Sequence, residues 1–299
     1  MTDSQETEFV IPPLDNSNFD TFVFFCYTFP PRTGIHAINQ QRFFNQVLFT
    51  DLQERKGVFV CLIQNNVDWH PRMRTIEWVK RSSVVKLHRP NVGFDFGGFA
   101  DAALFTGLPN RYVDFHLLCL NDTVYGPMIP WWINPQPDWL QILKNLITAE
   151  VKLAGLTINS YKMNPPHVQT MLFITDRTGF NIGWENDVFV ARLDKEIVVT
   201  ASECAFSQAV LAKGFNIDCL ATLLHGLDWR KASISPNLIP DRGDVCYPGK
   251  YIPDCDMDSV HPFDSMFCKT TRLGVRACLA FTRANVRAKL IPLQRKQDV

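Results

Sequence analysis

Short apolar runs rich in β-branched and aromatic residues alternate with polar, helix-like stretches through the first half of the chain. Continuous apolar runs of this length are typical of strands buried on both faces, as in a parallel sheet. Regular alternation of such strands with helices favours an α/β fold with a mostly parallel central sheet flanked by helices. The predicted strands are Thr21–Tyr27, Gly57–Gln64, Ser83–Leu87 and Asp114–Leu120, and a helical pattern covers 39–55.

The second half is less regular, but the spacing of its apolar positions predicts two amphipathic helices. One covers Asp138–Leu153. The other covers Ser202–Lys213, with Ser202 as its N-cap and Gly214 as its C-terminal stop. Short strands are predicted at 156–159 and 168–174.

Composition separates one large domain from the two ends of the chain. The 299 residues are 46% apolar, which suffices for a domain with a sizeable core. Between residues 272 and 296 there are seven Lys and Arg and no acid, which predicts a solvated helix face or, alternatively, peripheral contact with an anionic membrane surface. The predicted segments are a flexible leader (1–20), one domain (21–272) ending in a lid loop rich in Pro, Asp and Gly (236–272), and a basic helix or tail (273–299).

Charge and cysteine usage narrow the class of protein. Thirty Lys and Arg balance thirty Asp and Glu, so the chain lacks the basic excess of a dedicated nucleic-acid binder. No apolar run approaches the ~20 residues of a membrane span, and the polar, acidic start is unlike a secretory signal. These features and the absence of a CxxC pair predict a cytoplasmic protein with reduced thiols, either soluble or bound peripherally to a membrane. Cys246, Cys255, His261 and Cys268 are candidates for a structural zinc site, but their spacing matches no usual zinc pattern.

Polar and glycine-bearing segments follow all four predicted strands. Because the carboxyl ends of parallel strands meet at one edge of a sheet, these segments would line a single crevice. Each also has a structural explanation, since Asn and Asp are common turn formers and Asp95 could cap the following helix. The glycines match neither GxGxxG nor GxxxxGK[ST], which weakens both phosphate-loop interpretations. The candidate ligand-binding residues are Thr28, Asn65, Asp68, Asn91, Gly93, Asp95, Asn121 and Asp122.

The stretch from Asn91 to Pro127 resembles the rhamnan-synthesis F family of glycosyltransferases. It contains N-x-G-x-D-F-G and then a strand ending in LNDTVYGP, where the family shows a similar N-x-G-x-D-[FY]-G and LNDS-x-[FY]-G-P. More distantly, the chain is similar to the inverting glycosyltransferases of GT-A fold. Further segments similar to the family extend the resemblance over roughly residues 20–272, and they are 155–157, 167–170, 203–215 and 261–270.

The resemblance implies a GT-A-like (Rossmann-like) single domain that moves a sugar from a nucleoside-diphosphate donor to a glycan hydroxyl. L-Rhamnose or another deoxysugar is the first guess for that sugar, carried on UDP, dTDP or GDP. The product would be part of a polysaccharide or a glycoprotein glycan. Residues 21–130 would then form the nucleotide-sugar half, 131–235 would form the acceptor half, and the strand-end residues above would bind the donor.

The segment that would bind a metal departs from the GT-A pattern. Asn121-Asp122-Thr123 stands where that fold carries Asp-x-Asp, so one carboxylate remains to hold the Mg²⁺ or Mn²⁺ that would bridge the donor phosphates. Mg²⁺ keeps several waters, so one Asp together with the substrate phosphates can still hold it. By resemblance, Asp122 and His261 are the predicted ligands.

The resemblance also indicates a proton acceptor, which an inverting transfer needs for the acceptor hydroxyl. Glu203 is the predicted base, because it stands where GT-A enzymes carry a Glu-Asp pair, and Cys204 replaces the second acid. If that second acid is the base in relatives, Glu203 positions the acceptor instead, and in a first helical turn it could simply stabilise the helix dipole. Asp176 and Asp264 are the reserve candidates.

The acceptor site is predicted from aromatic residues and from the resemblance. Sugar faces stack on aromatic rings, so Tyr125 and Trp131 could form a shelf, although core packing would equally explain such rings. By resemblance, His167 and Gln169 complete the acceptor site.

Two rival functions stay open. The missing Asp-x-Asp and the presence of Cys204 also fit a module of the same fold that binds a nucleotide-sugar without turnover. A sugar-phosphate nucleotidyltransferase would need a basic, glycine-rich loop after the first strand, and residues 28–38 offer only Arg32, Thr33 and Gly34.

Overall fold

The computed structural model describes residues 19–48, 51–70, 73–79, 83–111, 114–129, 133, 135, 137–159, 165–222, 224–231 and 265–269. Twelve strands lie within these residues. They are β1 (Thr21–Phe29), β2 (Val58–Asn66), β3 (Thr75–Trp78), β4 (Val84–Pro90), β5 (His116–Asn121), β6 (Val124–Tyr125), β7 (Val151–Gly155), β8 (Ile158–Asn159), β9 (His167–Val168), β10 (Leu172–Asp176), β11 (Asn216–Cys219) and β12 (Cys268–Lys269).

Eight of these strands form one sheet in the order β11-β7-β10-β5-β1-β2-β4-β3. Strands β1, β2, β4 and β5 pair in parallel, and β7 and β11 run in the same direction, whereas β3 and β10 are antiparallel to their neighbours. Two-stranded ribbons pair β6 with β12 and β8 with β9. The sequence prediction of an α/β fold with a mostly parallel sheet is confirmed, and the four strands predicted in the first half are β1, β2, β4 and β5.

The sheet separates two apolar cores because successive side chains of a strand point to opposite faces. In β1, Phe22 and Phe24 belong to one core, while Val23 and Phe25 belong to the other. Burial on both faces explains why these strands read as unbroken apolar runs rather than as an alternating pattern.

Helices cover both faces of the sheet. The first core packs against α2, α5 and α7, and the second packs against α4 and the turn that continues α1. The helices are α1 (Gly34–Arg42), continued by a π-helical turn (Phe43–Leu48), α2 (Phe94–Thr106), α3 (Leu108–Arg111), α4 (Trp139–Asn145), α5 (Arg177–Glu185), α6 (Lys195–Val198), continued by a π-helical turn (Val199–Cys204), and α7 (Ala205–Ala212).

The predicted helix over 138–153 is wrong in its second half. Asp138 does cap α4, since its carboxylate accepts hydrogen bonds from the backbone N–H groups of Leu140 and Gln141. The helix nevertheless ends at Asn145, and the chain turns at Thr148 before it enters β7. The apolar side chains of 151–154 fit both periods, and pairing with β10 and β11 decides for a strand.

The helix predicted at Ser202 begins earlier. It starts after Asp194, whose carboxylate accepts hydrogen bonds from the N–H groups of Glu196 and Ile197, and it runs through the π-helical turn into α7. Ser202 is therefore buried inside the helix and is not its cap. Gly214, with a φ of +85°, follows the end of α7 as predicted.

Several predicted features lie outside the described residues. These are most of the leader, most of the lid loop, the basic tail, Trp131, His261, Asp264, Cys246 and Cys255. Five described cysteines are buried and free, in agreement with the prediction of packed, reduced thiols. Among the helices of the described segments, none has the length and apolar character that a membrane crossing requires.

Candidate functional site at the switch edge

The order of the strands marks one place on the sheet where a ligand can enter. From β1 the chain builds β2 and β4 on one side and then returns to place β5 on the other side of β1. The carboxyl ends of β1 and β5 therefore lie at a switch point in strand order, and ligands of open α/β sheets commonly bind at such a point. We call this place the switch edge and define it by Thr28, Asp95, Asn121 and Asp122.

Asp122 is a structural clamp at the switch edge. Its Oδ2 accepts hydrogen bonds from the backbone N–H of Thr28 at 3.1 Å and from the side-chain amide of Gln40 at 2.8 Å. The amide of Asn39 donates to its backbone oxygen at 2.7 Å. The residue is 5% exposed. Asp122 thus ties α1, β1 and β5 together, and sequence analysis missed the two partners on α1.

The described residues do not form a divalent-cation site by themselves. With Oδ2 of Asp122 engaged by two donors, its Oδ1 lies 4.0 Å from Nε2 of His36, whose other ring nitrogen bonds Thr33. Mg²⁺ and Mn²⁺ need several oxygen ligands, whereas Asp122 offers one oxygen among amide donors. No group of three or more His, Cys, Asp or Glu within the described segments could hold a metal. The predicted metal dependence stays a prediction that rests partly on His261.

Asp95 and Asn121 form the second polar pair of the switch edge. The amide of Asn121 donates to Oδ2 of Asp95 at 2.6 Å, and its own oxygen accepts from the backbone N–H and the hydroxyl of Thr123. Helix α2 begins at Phe94 with Gly93 at the N-cap position, so Asp95 is not the cap. Burial raises the pKa of the Asp95 carboxyl, and the nearby Asp122 carboxylate adds to the rise, while the hydrogen bond from Asn121 opposes it.

The raised pKa of Asp95 predicts that an asparagine at this position stabilises the fold at neutral pH. The folded protein retains the Asp95 proton at pH values where the unfolded chain has lost it, so wild-type stability falls as the pH rises above about 3.8. Asp95→Asn avoids that loss and still offers an oxygen to Asn121. We expect its melting temperature to exceed that of wild type at neutral pH and the difference to shrink below pH 3.8.

A pH series of melting curves tests this expectation, with Asp68→Asn as the control. Asp68 is exposed on the turn after β2, so its replacement removes one negative charge from the surface and separates that change from the effect of a buried carboxyl. A lower melting temperature for Asp95→Asn at neutral pH would contradict the expected stabilisation.

Arg89 is fully buried behind the switch edge, and sequence analysis did not identify it. Its guanidinium donates to the Asp101 carboxylate at 2.6 Å, to Oδ1 of Asn65 at 2.6 Å and to the backbone oxygen of Val92 at 2.6 Å. Asn65 in turn donates to Sγ of Cys26 at 3.2 Å. The sequence did indicate that Arg89 is buried. Val85, Leu87 and Arg89 occupy every second position of β4, so Arg89 shares a face of the strand with two buried apolar residues.

The glycines that follow β4 make room for protein atoms. A Cβ on Gly97 would lie 2.4 Å from the backbone oxygen of Val92 and 3.1 Å from the guanidinium of Arg89. Gly93, with a φ of +76°, would place a Cβ 2.4 Å from Cα of Ala191. Close packing therefore explains these glycines without a bound phosphate.

The remaining predicted donor-binding residues differ in whether their side chains have hydrogen-bonding atoms available to a ligand. Asn65 is buried and bonded at both ends of its amide, to Arg89 and Cys26. Asp68 is exposed on its turn, beyond the end of β2. At the end of β4, Oδ1 of Asn91 is buried and has no hydrogen-bond partner among the described residues. Asn91 therefore has a side-chain oxygen that could accept a hydrogen bond from a ligand.

Glu203 reaches the neighbourhood of the switch edge from a distant part of the sequence. Its Oε1 accepts a hydrogen bond from the backbone N–H of Thr170 at 2.9 Å. The next residue, Met171, accepts a hydrogen bond from the N–H of Asn121 at 3.1 Å. Because Glu203 lies in the π-helical turn within a longer helix, stabilisation of a first-turn dipole does not explain it. Asp176, a reserve candidate, caps α5 at the opposite end of β10.

Cys204, which the resemblance matches to the second acid of the Glu-Asp pair, cannot substitute for a carboxylate as a base. Burial raises the pKa of its thiol to about 12, and the adjacent Glu203 adds to the rise. The thiol therefore stays protonated at neutral pH.

The predicted acceptor-binding residues are all buried where the structure describes them. Tyr125 pairs with Cys268 across the β6–β12 ribbon, and the guanidinium of Arg42 lies 4.9 Å from its ring centre. A ring covered in this way gives a sugar no open face, which argues against Tyr125 as a stacking shelf. His167 and Gln169 lie on the β8–β9 ribbon and just beyond it, close to Thr170 and therefore to Glu203.

No protein-family model matches the chain, and no curated protein matches it significantly. The resemblance to the rhamnan-synthesis F family therefore stays a prediction from the residues that carry it.

Proposed function

We propose that the chain is a GT-A-like glycosyltransferase that moves a sugar from a nucleoside-diphosphate donor to a glycan hydroxyl. The proposed sugar is L-rhamnose or another deoxysugar, carried on UDP, dTDP or GDP. One observation carries the proposal, namely that Asp95 and Asn121 are hydrogen-bonded at the switch point of a mostly parallel sheet and that the Glu203 carboxylate bonds Thr170, whose neighbour Met171 bonds the backbone of Asn121. Polar groups gathered at such a point are what a nucleotide-linked substrate requires.

In the proposed reaction Glu203 takes the proton of the acceptor hydroxyl as that hydroxyl attacks the anomeric carbon. The hydrogen bond from Thr170 to Oε1 holds the carboxylate, and Oε2 is the oxygen that accepts the proton. The bond between sugar and diphosphate breaks as the new glycosidic bond forms, and the nucleoside diphosphate leaves with its electron pair. Arg32, exposed after β1, is near enough to lower the pKa of Asp95, and its charge would offset part of the charge of the leaving group.

The Asp122 clamp favours a second candidate, a module of the same fold that binds a nucleotide-sugar without turning it over. An Asp whose Oδ2 is already bonded by Thr28 and Gln40 is less able to ligate a metal. Such a module would bind the donor at the same switch edge and release no nucleoside diphosphate.

Nucleoside-diphosphate release by the purified chain tests the proposal against UDP-, dTDP- and GDP-sugars, with Mg²⁺ or Mn²⁺ and with EDTA. We expect release with one donor and a glycan acceptor, and Glu203→Gln to lower kcat by roughly 100- to 10,000-fold with donor binding intact. Glu196→Gln is the matched control, because Glu196 is an exposed acid at the start of the same helix.

Each outcome assigns a function or removes one. If a nucleotide-sugar binds but no nucleoside diphosphate is released with any glycan acceptor tried, the chain is the binding module. If no nucleotide-sugar binds, both candidates fail. Release that survives Glu203→Gln at the Glu196→Gln rate keeps the transferase and removes Glu203 as its base.

A further inference from the structure

The β8–β9 ribbon has one apolar face and one polar face. Ile158 and Val168, which face each other across the ribbon, are buried in the first core. Side chains alternate along a strand, so the flanking positions point to the opposite face. That face carries four polar side chains, and its members are Thr157, Asn159, His167 and Gln169.

Asn159 has hydrogen-bonding capacity that the described protein leaves unused. The residue is 9% exposed, and its Oδ1 is buried without a hydrogen-bond partner among the described residues. Buried side-chain oxygens are nearly always paired, because an unpaired one loses its water without compensation. An oxygen of this kind therefore points to a bound molecule that donates a hydrogen bond to it.

His167 stands directly opposite Asn159 and offers a second polar atom. Its Nδ1 lies 2.8 Å from the backbone oxygen of Pro165. A carbonyl oxygen only accepts, so Nδ1 carries the hydrogen, and Nε2 is the ring nitrogen that remains available to a ligand. Directly opposed residues of an antiparallel pair bring their side chains together. The pair combines the amide oxygen and amide donors of Asn159 with the ring nitrogen Nε2 of His167.

The β8–β9 ribbon lies beside the helix that carries the proposed base. Ser207, on α7, accepts a hydrogen bond from the N–H of Val168 at 2.9 Å. Thr170, two residues further along, donates to Glu203. A ligand group held between Asn159 and His167 is therefore close to the helix that carries Glu203.

We propose that Asn159 and His167 form a subsite for a neutral, hydroxyl-bearing ligand, a sugar unit of the acceptor glycan. A hydroxyl both donates and accepts, and it can satisfy the acceptor atoms and the amide together. A phosphate or carboxylate group is disfavoured, because it has no hydrogen to donate to the buried Oδ1 of Asn159. The identification of the ligand as an acceptor glycan rests on the proposed function, whereas its neutral, hydroxyl-bearing chemistry does not.

Saturation-transfer NMR with methyl α-L-rhamnopyranoside, and with a methyl glucuronide as the charged probe, tests the subsite. We expect the wild-type chain to bind the neutral glycoside in preference to the glucuronide. Asn159→Leu should weaken binding of the neutral glycoside by about tenfold or more, because two hydrogen bonds to the ligand are lost. The same variant should leave nucleotide-sugar binding unchanged. His167→Phe should have a similar effect.

Asn216→Leu is the matched control, because Asn216 is 8% exposed and fully bonded inside the fold. Its amide donates to the backbone oxygen of Leu227 and accepts from the N–H of Trp229, at the opposite end of β11 from the ribbon. We expect Asn216→Leu to lower the melting temperature and leave glycoside binding unchanged. Asn159→Leu should show the reverse, with a melting temperature equal to or above that of wild type.

The outcomes separate the subsite from the transferase. A large loss of melting temperature in Asn159→Leu, or failure of that variant to fold, would overturn the subsite, because Asn159 would then be bonded inside the protein. Nucleoside-diphosphate release without any glycoside binding, or with binding that Asn159→Leu leaves intact, also overturns the subsite and keeps the transferase. Glycoside binding that Asn159→Leu removes, in a chain that binds no nucleotide-sugar, supports the subsite and removes the transferase.

Discussion

Replacing Arg89 by leucine is expected to lower the free energy of unfolding by about 3–5 kcal/mol. Arg89 is 0% exposed, and its guanidinium satisfies Oδ1 of Asn65 and the backbone oxygen of Val92 as well as the Asp101 carboxylate. Leucine leaves the first two oxygens buried without donors and leaves part of the guanidinium volume empty. Urea unfolding followed by circular dichroism measures the difference.

Arg74→Leu is the matched control for this variant. Arg74 pairs with the same Asp101 oxygen at 2.8 Å, but its side chain is 24% exposed. A pair of that exposure contributes under about 1 kcal/mol, so Arg74→Leu should be close to wild type. Equal losses for the two variants would show that Arg89 acts only as a counterion of Asp101 and that its bonds to Asn65 and Val92 add no stability.

Replacing Asp122 by alanine is expected to cost about 3 kcal/mol, because two donors lose a carboxylate partner. The backbone N–H of Thr28 and the amide of Gln40 both bond Oδ2, so alanine removes the acceptor of the Thr28 N–H and leaves Gln40 with its bond to the backbone oxygen of Thr28. Asp122→Asn keeps one oxygen at that place. We therefore expect the asparagine variant to lose clearly less stability than the alanine variant, as urea unfolding would show.

The same two variants distinguish the clamp from a metal ligand. If Asp122 acts mainly as the clamp, Asp122→Asn binds nucleotide-sugars as wild type does, with or without Mn²⁺. A donor affinity that depends on Mn²⁺ in wild type and is lost in Asp122→Asn would instead make the carboxylate a metal ligand. Calorimetric titration in the presence of Mn²⁺ and of EDTA measures this directly.

The central sheet and the location of its polar edge could be predicted from the sequence for a local reason. Strands such as β1 and β2 are buried on both faces, so their apolar runs are unbroken and their ends are marked by the first polar residues. The carboxyl ends of parallel strands necessarily share one edge, and Thr28, Asn121 and Asp122 do meet there.

The boundaries of the second half could not be predicted, because competing patterns there were equally consistent with the residues. The apolar positions of 151–154 fit a helix or a strand, and a place between β10 and β11 decided for the strand. Ser202 has the chemistry of a cap, but Asp194 begins the helix and Ser202 is buried, with its hydroxyl accepting a hydrogen bond from Arg192. Local propensity is weaker than tertiary packing in both cases.

By itself the sequence determined the fold class, the four leading strands and the edge at which polar side chains collect, because hydrophobic period and strand direction are local properties. Only the tertiary structure decided which of those side chains are already engaged within the protein. Pairing across long sequence separations set that outcome, as Asp122 with Gln40 and Arg89 with Asp101 show. It also brought Glu203 beside Thr170 and placed His167 opposite Asn159, since contacts between distant segments form only when the sheet assembles.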